Sequence, residues 1–389
     1  MANALGNYNP IFYANEALIH LQNALGMAAR VHRGYELERR AVNIGEFISI
    51  RSPSTFVAQD PLATASDLNT EVLNIQVNRN PGVAFKLTDL ELAYTGEQVI
   101  NEHISPAAYA IANKIDQYLV ELYKDVPWLY DYAAATDHTI ITGAKSVAFG
   151  NAVPVDDLGN MHMMVDGTVQ MHFENSVTFH SAQVTGPGQN QTLLRGGLGT
   201  RFGVETFANQ NATNSATHVP GTANQAAGDS DGAVNSNPLL LGATVMAIDG
   251  MTGSETILKG DTFVIAGNTQ RYAVTADTTL TAGANGAMPF TPAAVQEYAD
   301  GAVVTFTKQP DAGSVQQLMF HRNAFALAMA PLPENLPGIE VSTASDPVSG
   351  LSVRARRWST GLPAETYVAL DALLGVKTLD PNLAVRAFT

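Results

Sequence analysis

Between Phe85 and Trp128 the chain changes its hydrophobic period from two to about 3.6, and it holds the second period through Val126. Val83, Phe85 and Leu87 alternate as a strand, and a Thr88-Asp89 turn follows. Ile104, Ala108, Ile111, Ile115, Leu119, Leu122 and Val126 then recur at spacings of three and four, which draws one continuous apolar stripe. Ser105 followed by Pro106 predicts the helix start, with a hydroxyl for the orphan N–H groups and a proline where no N–H is needed. Pro127 predicts the end. A helix over 105–126 is long for a globular domain, and its single stripe must be covered. A β-sheet is the expected cover.

The 389 residues are 46% hydrophobic and only 15% charged, so the chain packs cores and is not a disordered polymer. With few charges and a mean hydropathy near zero, apolar surface is expected to meet other protein copies. Cysteine is absent, which excludes disulfides and thiolate metal sites. No apolar run is long enough for a membrane span, and the N-terminus has no secretory pattern. The net charge of −15 argues against nucleic-acid binding, which needs clustered Lys and Arg. Arg39-Arg40 and the set Arg354, Arg356, Arg357 read as solvated or inter-subunit ion-pairing patches.

Residues 14–33 read as an amphipathic helix with Ala14, Leu18, Leu21, Leu25 and Ala28 on its seam. It is either a core helix or an arm lying on a neighbouring subunit. Residues 42–51 and 71–87 alternate as two strands around a long loop containing Phe56, Asp60 and Asp67. A two-stranded ribbon is marginal alone, so a neighbouring copy is expected to cover it. Residues 129–205 mix Gly/Pro turns with short strands such as the run through Met161, Met163 and Val165. A segment free of Asp, Glu, Lys and Arg leads towards Gly228 and reads as a surface loop. Residues 236–309 then show short strands at 244–248, 262–266, 271–275 and 302–307 with Gly-containing turns between them, the pattern of a small barrel or sandwich.

The strand, Thr-Asp-x-Glu-Leu turn and spine helix of 85–128 resemble the peripheral domain of HK97-like tailed-phage major capsid proteins. The likeness is to the gene-product-five coat family of short-tailed phages. LLRGGLGTRFGVETFANQ (193–210), LKGDTFVIAG (258–267), QQLMFHRNAFALAMAPLP (316–333) and ALLGVKTLDPNLAVRAF (372–388) resemble colinear pieces of the same family. The least similar part is 138–192. The resemblance implies an α+β HK97-like fold: an N-terminal arm over 1–41, an extended loop over 42–87, and a peripheral domain over 88–150 and 351–389. An axial domain over 151–235 and 310–350 and an inserted β domain over 236–309 complete it. It also implies a coat protein forming hexamers and pentamers of an icosahedral shell around double-stranded DNA, without sequence-specific binding. Implied partners are copies of itself, a scaffolding protein, a portal and a decoration protein; the implied location is the virion, after assembly in host cytoplasm. The arm helix begins close to the first residue, from which a separately encoded scaffold is expected. Phe56, Asp60 and Asp67 on the loop, with Arg354, Arg356 and Arg357, are the assembly-interface candidates. The alternatives are an encapsulin-like compartment shell and a β-rich binding protein.

No cofactor, metal or catalytic set is expected. His162, His172 and His180 lie in what reads as one strand-rich region, at spacings unlike those of a zinc site. Asp229-Ser230-Asp231-Gly232 opens like a calcium loop, but Val234, Asn235 and Ser236 stand where further ligands belong, so it reads as a turn. Gly197, Gly199 and Gly203 are turn glycines at the wrong spacing for a dinucleotide fold. There is no nucleophile elbow, phosphate loop or HExxH. Met161, Met163, Met164 and Met171 read as interior packing.

Overall fold

The computed structural model describes residues 10–33, 47–51, 72–88, 98–132, 137–180, 196–212, 230–234, 238–249, 255–280, 286–306, 315–334, 337–346, 350–361 and 365–388. They form two compact units: 1–25, 32–115 and 326–379 in the first, and 26–31, 116–325 and 380–389 in the second. The chain is mixed α+β. The expected peripheral boundary at 150 and the grouping of 351–389 differ from this division. The last strand, Ala384–Phe388, belongs to the second unit because it pairs with Gln317–His321 and, in parallel, with Leu129–Asp131.

The first unit is built on an antiparallel four-stranded sheet in the order Glu340–Asp346, Leu351–Thr360, Glu365–Asp371, Gly82–Thr88. The helix Pro10–Ala24 packs on the first two of these strands, with Tyr13, Ala14, Ala17, Leu18 and Leu21 buried. It begins before the expected residue 14 and stops before Gly26, beyond which only a 3₁₀ turn, Met27–Ala29, forms. The long helix runs from Gln98 to Val120. Its start is a correction: Pro106 lies inside the helix and does not open it. The proline lacks an N–H for the preceding turn, yet buried Ile104, Ala108, Ile111 and Ile115 on one stripe hold the helix through it. Its last turns also differ. Glu121–Asp125 tighten into a 3₁₀ helix, so burial there falls on Val120, Tyr123 and Val126 at spacing three, and Leu122 is only half-buried.

The expected second ribbon strand over 71–87 is two strands. Val72–Gln76 pairs with Phe47–Arg51, while Gly82–Thr88 joins the four-stranded sheet. Pro81 separates them, since it cannot donate to a ladder. The ribbon base also has its cover within the chain. Ile48, Ile75 and Val77 are buried against the alanines of the strand Phe325–Ala330, Ala326, Ala328 and Ala330. Gly375 lets the ribbon approach: a Cβ there would sit 2.3 Å from the Gln76 carbonyl oxygen. Arg79 and Leu374 then exchange backbone hydrogen bonds of 3.0 and 2.8 Å. Gly375→Ala should therefore lower stability by about 1–3 kcal/mol through overpacking against backbone. Urea unfolding checks this, and an unchanged midpoint would mean that the ribbon base is not seated there.

The second unit holds a mixed six-stranded sheet in the order Leu129–Asp131, Ala384–Phe388, Gln317–His321, Met161–Val165, Val204–Ala208, Gly199–Arg201. Its central strands are buried at every residue, as expected for a sheet covered on both faces. The helices Thr139–Gly150 and Gly167–Asn175 share its core through Ile140, Ile141, Val169 and Phe173. These helices were not expected over 129–205, whereas the expected strand through Met161, Met163 and Val165 does form. Asp166 caps the second, accepting from Val169 N at 3.0 Å, and is itself held by buried Gln317.

The same unit carries a closed six-stranded barrel in the order Thr262–Ile265, Arg271–Val274, Gly286–Thr291, Val245–Asp249, Ser230–Val234, Val303–Phe306. Ser230–Val234 is thus a strand that closes the barrel, not the turn expected at Asp229–Gly232. Its pairing with Val303–Phe306 brings the two ends of the unit together. A fragment over 228–309 should give dispersed amide spectra and a cooperative melt. The shorter 236–309, lacking the closing strand, has two open edges and should give neither. A well-dispersed spectrum from the shorter fragment would show that the closing strand is dispensable.

Candidate functional site

The candidate surface residues divide by place. Phe56, Asp60 and Asp67 lie outside the described residues. Arg354, Arg356 and Arg357 lie on the strand Leu351–Thr360, where alternation sends Arg354 and Arg356 to one face of the four-stranded sheet and Arg357 to the other. They are therefore not a single patch. Nor is Arg354 solvated: it is buried, with Nε 3.0 Å and Nη2 2.6 Å from the two Asp371 carboxylate oxygens. Its Nη1 donates to the Pro333 carbonyl at 3.0 Å. Arg356 Nη2 shares Asp371 Oδ2 at 2.9 Å and keeps 30% of its side chain exposed.

Beyond Arg356 the same face carries Trp358 stacked on Tyr367, with ring centroids 5.3 Å apart, and Arg356 lies 5.9 Å from the Trp358 ring. Lys86, opposite Tyr367 in register, reaches Glu365 at 2.8 Å. The hydrogen bonds from Lys86 and the Tyr367 hydroxyl hold the Glu365 carboxyl below its ordinary range. The result is a face of paired charges around one aromatic stack. Sequence alternation identified the strand, but the Asp371 clamp depends on the register of the next strand, which pairs Arg354 with Asp371 17 residues on.

The second unit holds a charged cluster that sequence reading missed. Arg30 donates to Glu205 Oε1 from Nη2 at 2.7 Å and Nε at 3.2 Å, and His162 Nδ1 lies 2.9 Å from Oε2. Arg30 also lies over the Phe207 ring at 4.0 Å. Burial holds the His162 imidazole below its ordinary value of 6.5 against the opposing pull of Glu205. Burial raises the Glu205 carboxyl, but Arg30 and His162 outweigh it and leave it below its ordinary range. Because the folded His162 value lies below the unfolded one, the unfolded chain takes up this proton first as pH falls. Its contribution is present above pH 6.5 and is lost as pH falls towards the folded value. His162→Gln should flatten the dependence of the urea midpoint on pH in that range. An unaltered slope would remove His162 as its source.

The three histidines flagged in sequence are spread over different elements: His162 on a central strand, His172 on the helix Gly167–Asn175, and His180 at the end of the short helix Val177–His180. Among the described residues no group of three or more His, Asp or Glu side chains is placed to hold a metal ion. The barrel interior is filled by Phe263, Tyr272, Phe290, Phe306, Met246 and Met288. Met161, Met163 and Met164 are interior as expected, but Met171 is half-exposed. Among the described residues no helix is long and apolar enough to cross a membrane.

One exposed feature carries backbone strain. The hairpin joining Gly199–Arg201 to Val204–Ala208 turns on Phe202 and Gly203, with φ of 55° and 81°. A turn with two positive φ values normally selects Asn-Gly. Here an aromatic side chain takes the first position, stacked on His138 with ring centroids 5.4 Å apart, and Lys145 Nζ donates to its carbonyl at 2.8 Å.

No protein-family model and no curated protein matches the chain. Among solved structures, it is similar to one of Mycobacterium phage Che8, at 12% identity and a TM-score of 0.49 over 93% of this chain and 90% of that one. It is similar to the capsid asymmetric unit of cyanophage Pam1 at 10% identity and a TM-score of 0.48, covering 92% and 88% of the two chains. The capsid of Ralstonia phage GP4 aligns at 9% identity and a TM-score of 0.47, covering 94% and 88%.

Proposed function

We propose that this chain is the major capsid protein of a tailed bacteriophage, a structural and non-enzymatic subunit of HK97-like fold. The observation that carries the reading is the order of elements along the chain. An N-terminal helix precedes the paired strands 47–51 and 72–76, and a sheet strand then precedes the long helix. A mixed sheet follows, a closed barrel is inserted between its strands Val204–Ala208 and Gln317–His321, and the chain returns to the four-stranded sheet. The quoted sequence segments resemble the coat family in that same order. In this reading 1–41 is the arm, 42–87 the extended loop, and 230–306 the inserted domain. The four-stranded sheet and the long helix supply the peripheral layer, and the six-stranded sheet the axial one.

Hexamers and pentamers of the chain would tile an icosahedral shell around double-stranded DNA, with a scaffolding protein, a portal and a decoration protein as partners. Assembly would take place in host cytoplasm and the product would reside in the virion. A net charge of −15 suits a wall that must not bind the packaged polymer. The test is electron microscopy of the purified chain, alone and co-expressed with a candidate scaffolding protein. Closed shells of uniform diameter are expected in at least one condition, and monomers in both would overturn the reading.

A further inference from the structure

Among the described residues Arg386 is the largest fully buried side chain, at 0% exposure. It lies on the last strand of the chain, Ala384–Phe388, in the six-stranded sheet of the second unit. Among the described residues no carboxylate lies within ion-pairing distance of it. Nη2 donates to the carbonyl oxygen of Gly260 at 2.9 Å, and Nη1 reaches Gln316 Oε1 at 3.4 Å. Nε has no hydrogen-bond partner there, and the Tyr123 ring lies 6.0 Å from the guanidinium carbon. Burial pulls its pKa down to about 10, opposed first by Tyr123 and then by the charges of Asp261 and Asp125. A cation kept so deep without a counter-ion is a poor device for stability, because desolvation outweighs the hydrogen bonds it gains. In some proteins buried polar groups of this kind are kept because they specify one arrangement of the parts around them.

The arrangement it specifies is visible in its partner. Gly260 lies in the barrel, in the turn before the strand Thr262–Ile265, whereas Arg386 belongs to the six-stranded sheet. The apolar cores of barrel and sheet have no residue in common. Polar contacts join them instead. Lys259 Nζ lies 3.2 Å from Asp125 Oδ1, and Gln270 donates to Asn382 Oδ1 at 2.9 Å. A junction of hydrogen bonds between two separately closed cores behaves as an inter-domain contact and permits relative motion unless something fixes it.

We propose that Arg386 is an orienting latch: it fixes the angle of the barrel on the six-stranded sheet, and without it the two bodies stay folded but move relative to each other. Arg386 is a positioning residue in this role. The proposal stands independently of the shell reading, since it concerns the single chain.

The chain has no cysteine, so two labels can be placed without background. Val245 on the barrel is 52% exposed and Leu158 beside the sheet is 76% exposed. Nitroxides on Val245→Cys and Leu158→Cys in the full chain should give one narrow distance distribution by pulsed electron resonance. Adding Arg386→Met should make it at least about twice as broad, as for domains joined by a polar contact. Amide exchange protection at Phe263 and Tyr272 in the barrel, and at Met163 and Met319 in the sheet, should persist. If Arg386→Met fails to fold, Arg386→Lys carries the test. Its ammonium keeps the charge but cannot span Gly260 and Gln316 as the planar fork does, so the distribution should again widen. An unchanged narrow distribution in the folded variant overturns the latch. Loss of barrel and sheet protection together, in both variants, overturns it as well, because Arg386 would then be holding a single core.

Discussion

Ile115→Asp should cost about 4 kcal/mol or more, because the carboxyl would be stranded in an apolar stripe with no partner. Ile115 has 0% exposure, as do Ile104 and Leu119 on the same stripe. Either the charge is desolvated or the group is protonated at a raised pKa, and both outcomes penalise the folded state. Most of the mutant chain should then be insoluble on expression. Tyr109→Asp supplies the control on the same helix, since Tyr109 is 58% exposed and its replacement should stay within about 0.5 kcal/mol. Soluble fraction and urea midpoint of the two variants give the comparison. A soluble Ile115→Asp chain with the parent midpoint would place the stripe in water.

That stripe was legible because a period of 3.6 is a property of neighbouring residues. The limits of the helix were not. Pro106 looks like a helix start on local grounds, and only the burial of Ile104 with Ile111 and Ile115 carries the helix back to Gln98. The helix Thr139–Gly150 was hidden for the opposite reason. Its β-branched residues and central Gly143 argue against a helix, yet a Cβ at Gly143 would fall 2.0 Å from the Tyr130 ring. The glycine is there so that Tyr130 can lie against the helix, which no local propensity reports. Alternation likewise located four of the six barrel strands within a residue or two. It missed Ser230–Val234, where Ser, Asp and Gly dominate and a place between two partner strands defines the element. The ribbon was read as an element awaiting a neighbour, since the alanine strand that covers its base lies some 250 residues further along the chain.

Asp371→Ala should be the most damaging change in the four-stranded sheet, at about 3–5 kcal/mol. Asp371 is 4% exposed and accepts from both guanidinium groups of its face, Arg354 at 3.0 and 2.6 Å and Arg356 at 2.9 Å. Its removal leaves Arg354 buried, with one hydrogen bond to the Pro333 carbonyl and no counter-ion. Asp371→Asn keeps the shape and one acceptor but not the charge, so it should lie between alanine and the parent. The double change Arg354→Met with Asp371→Leu removes both desolvation penalties and should recover most of the loss, giving a large coupling in a double-mutant cycle. Urea unfolding of the parent, Arg354→Met, Asp371→Leu and the double variant measures that coupling, and a cost below about 1 kcal/mol for Asp371→Ala would mean that water reaches Arg354. In the shell proposed above, the same geometry ranks the arginines as contact candidates. With Arg354 committed to Asp371 inside the subunit, Arg356 is the member of that face with a guanidinium open enough to meet a second chain. Arg356→Glu should therefore disturb shell formation more than Arg354→Met combined with Asp371→Leu, in spite of the greater burial of the latter pair. Electron microscopy of the two variants ranks them, and the reverse order would remove this sheet face from the assembly contacts.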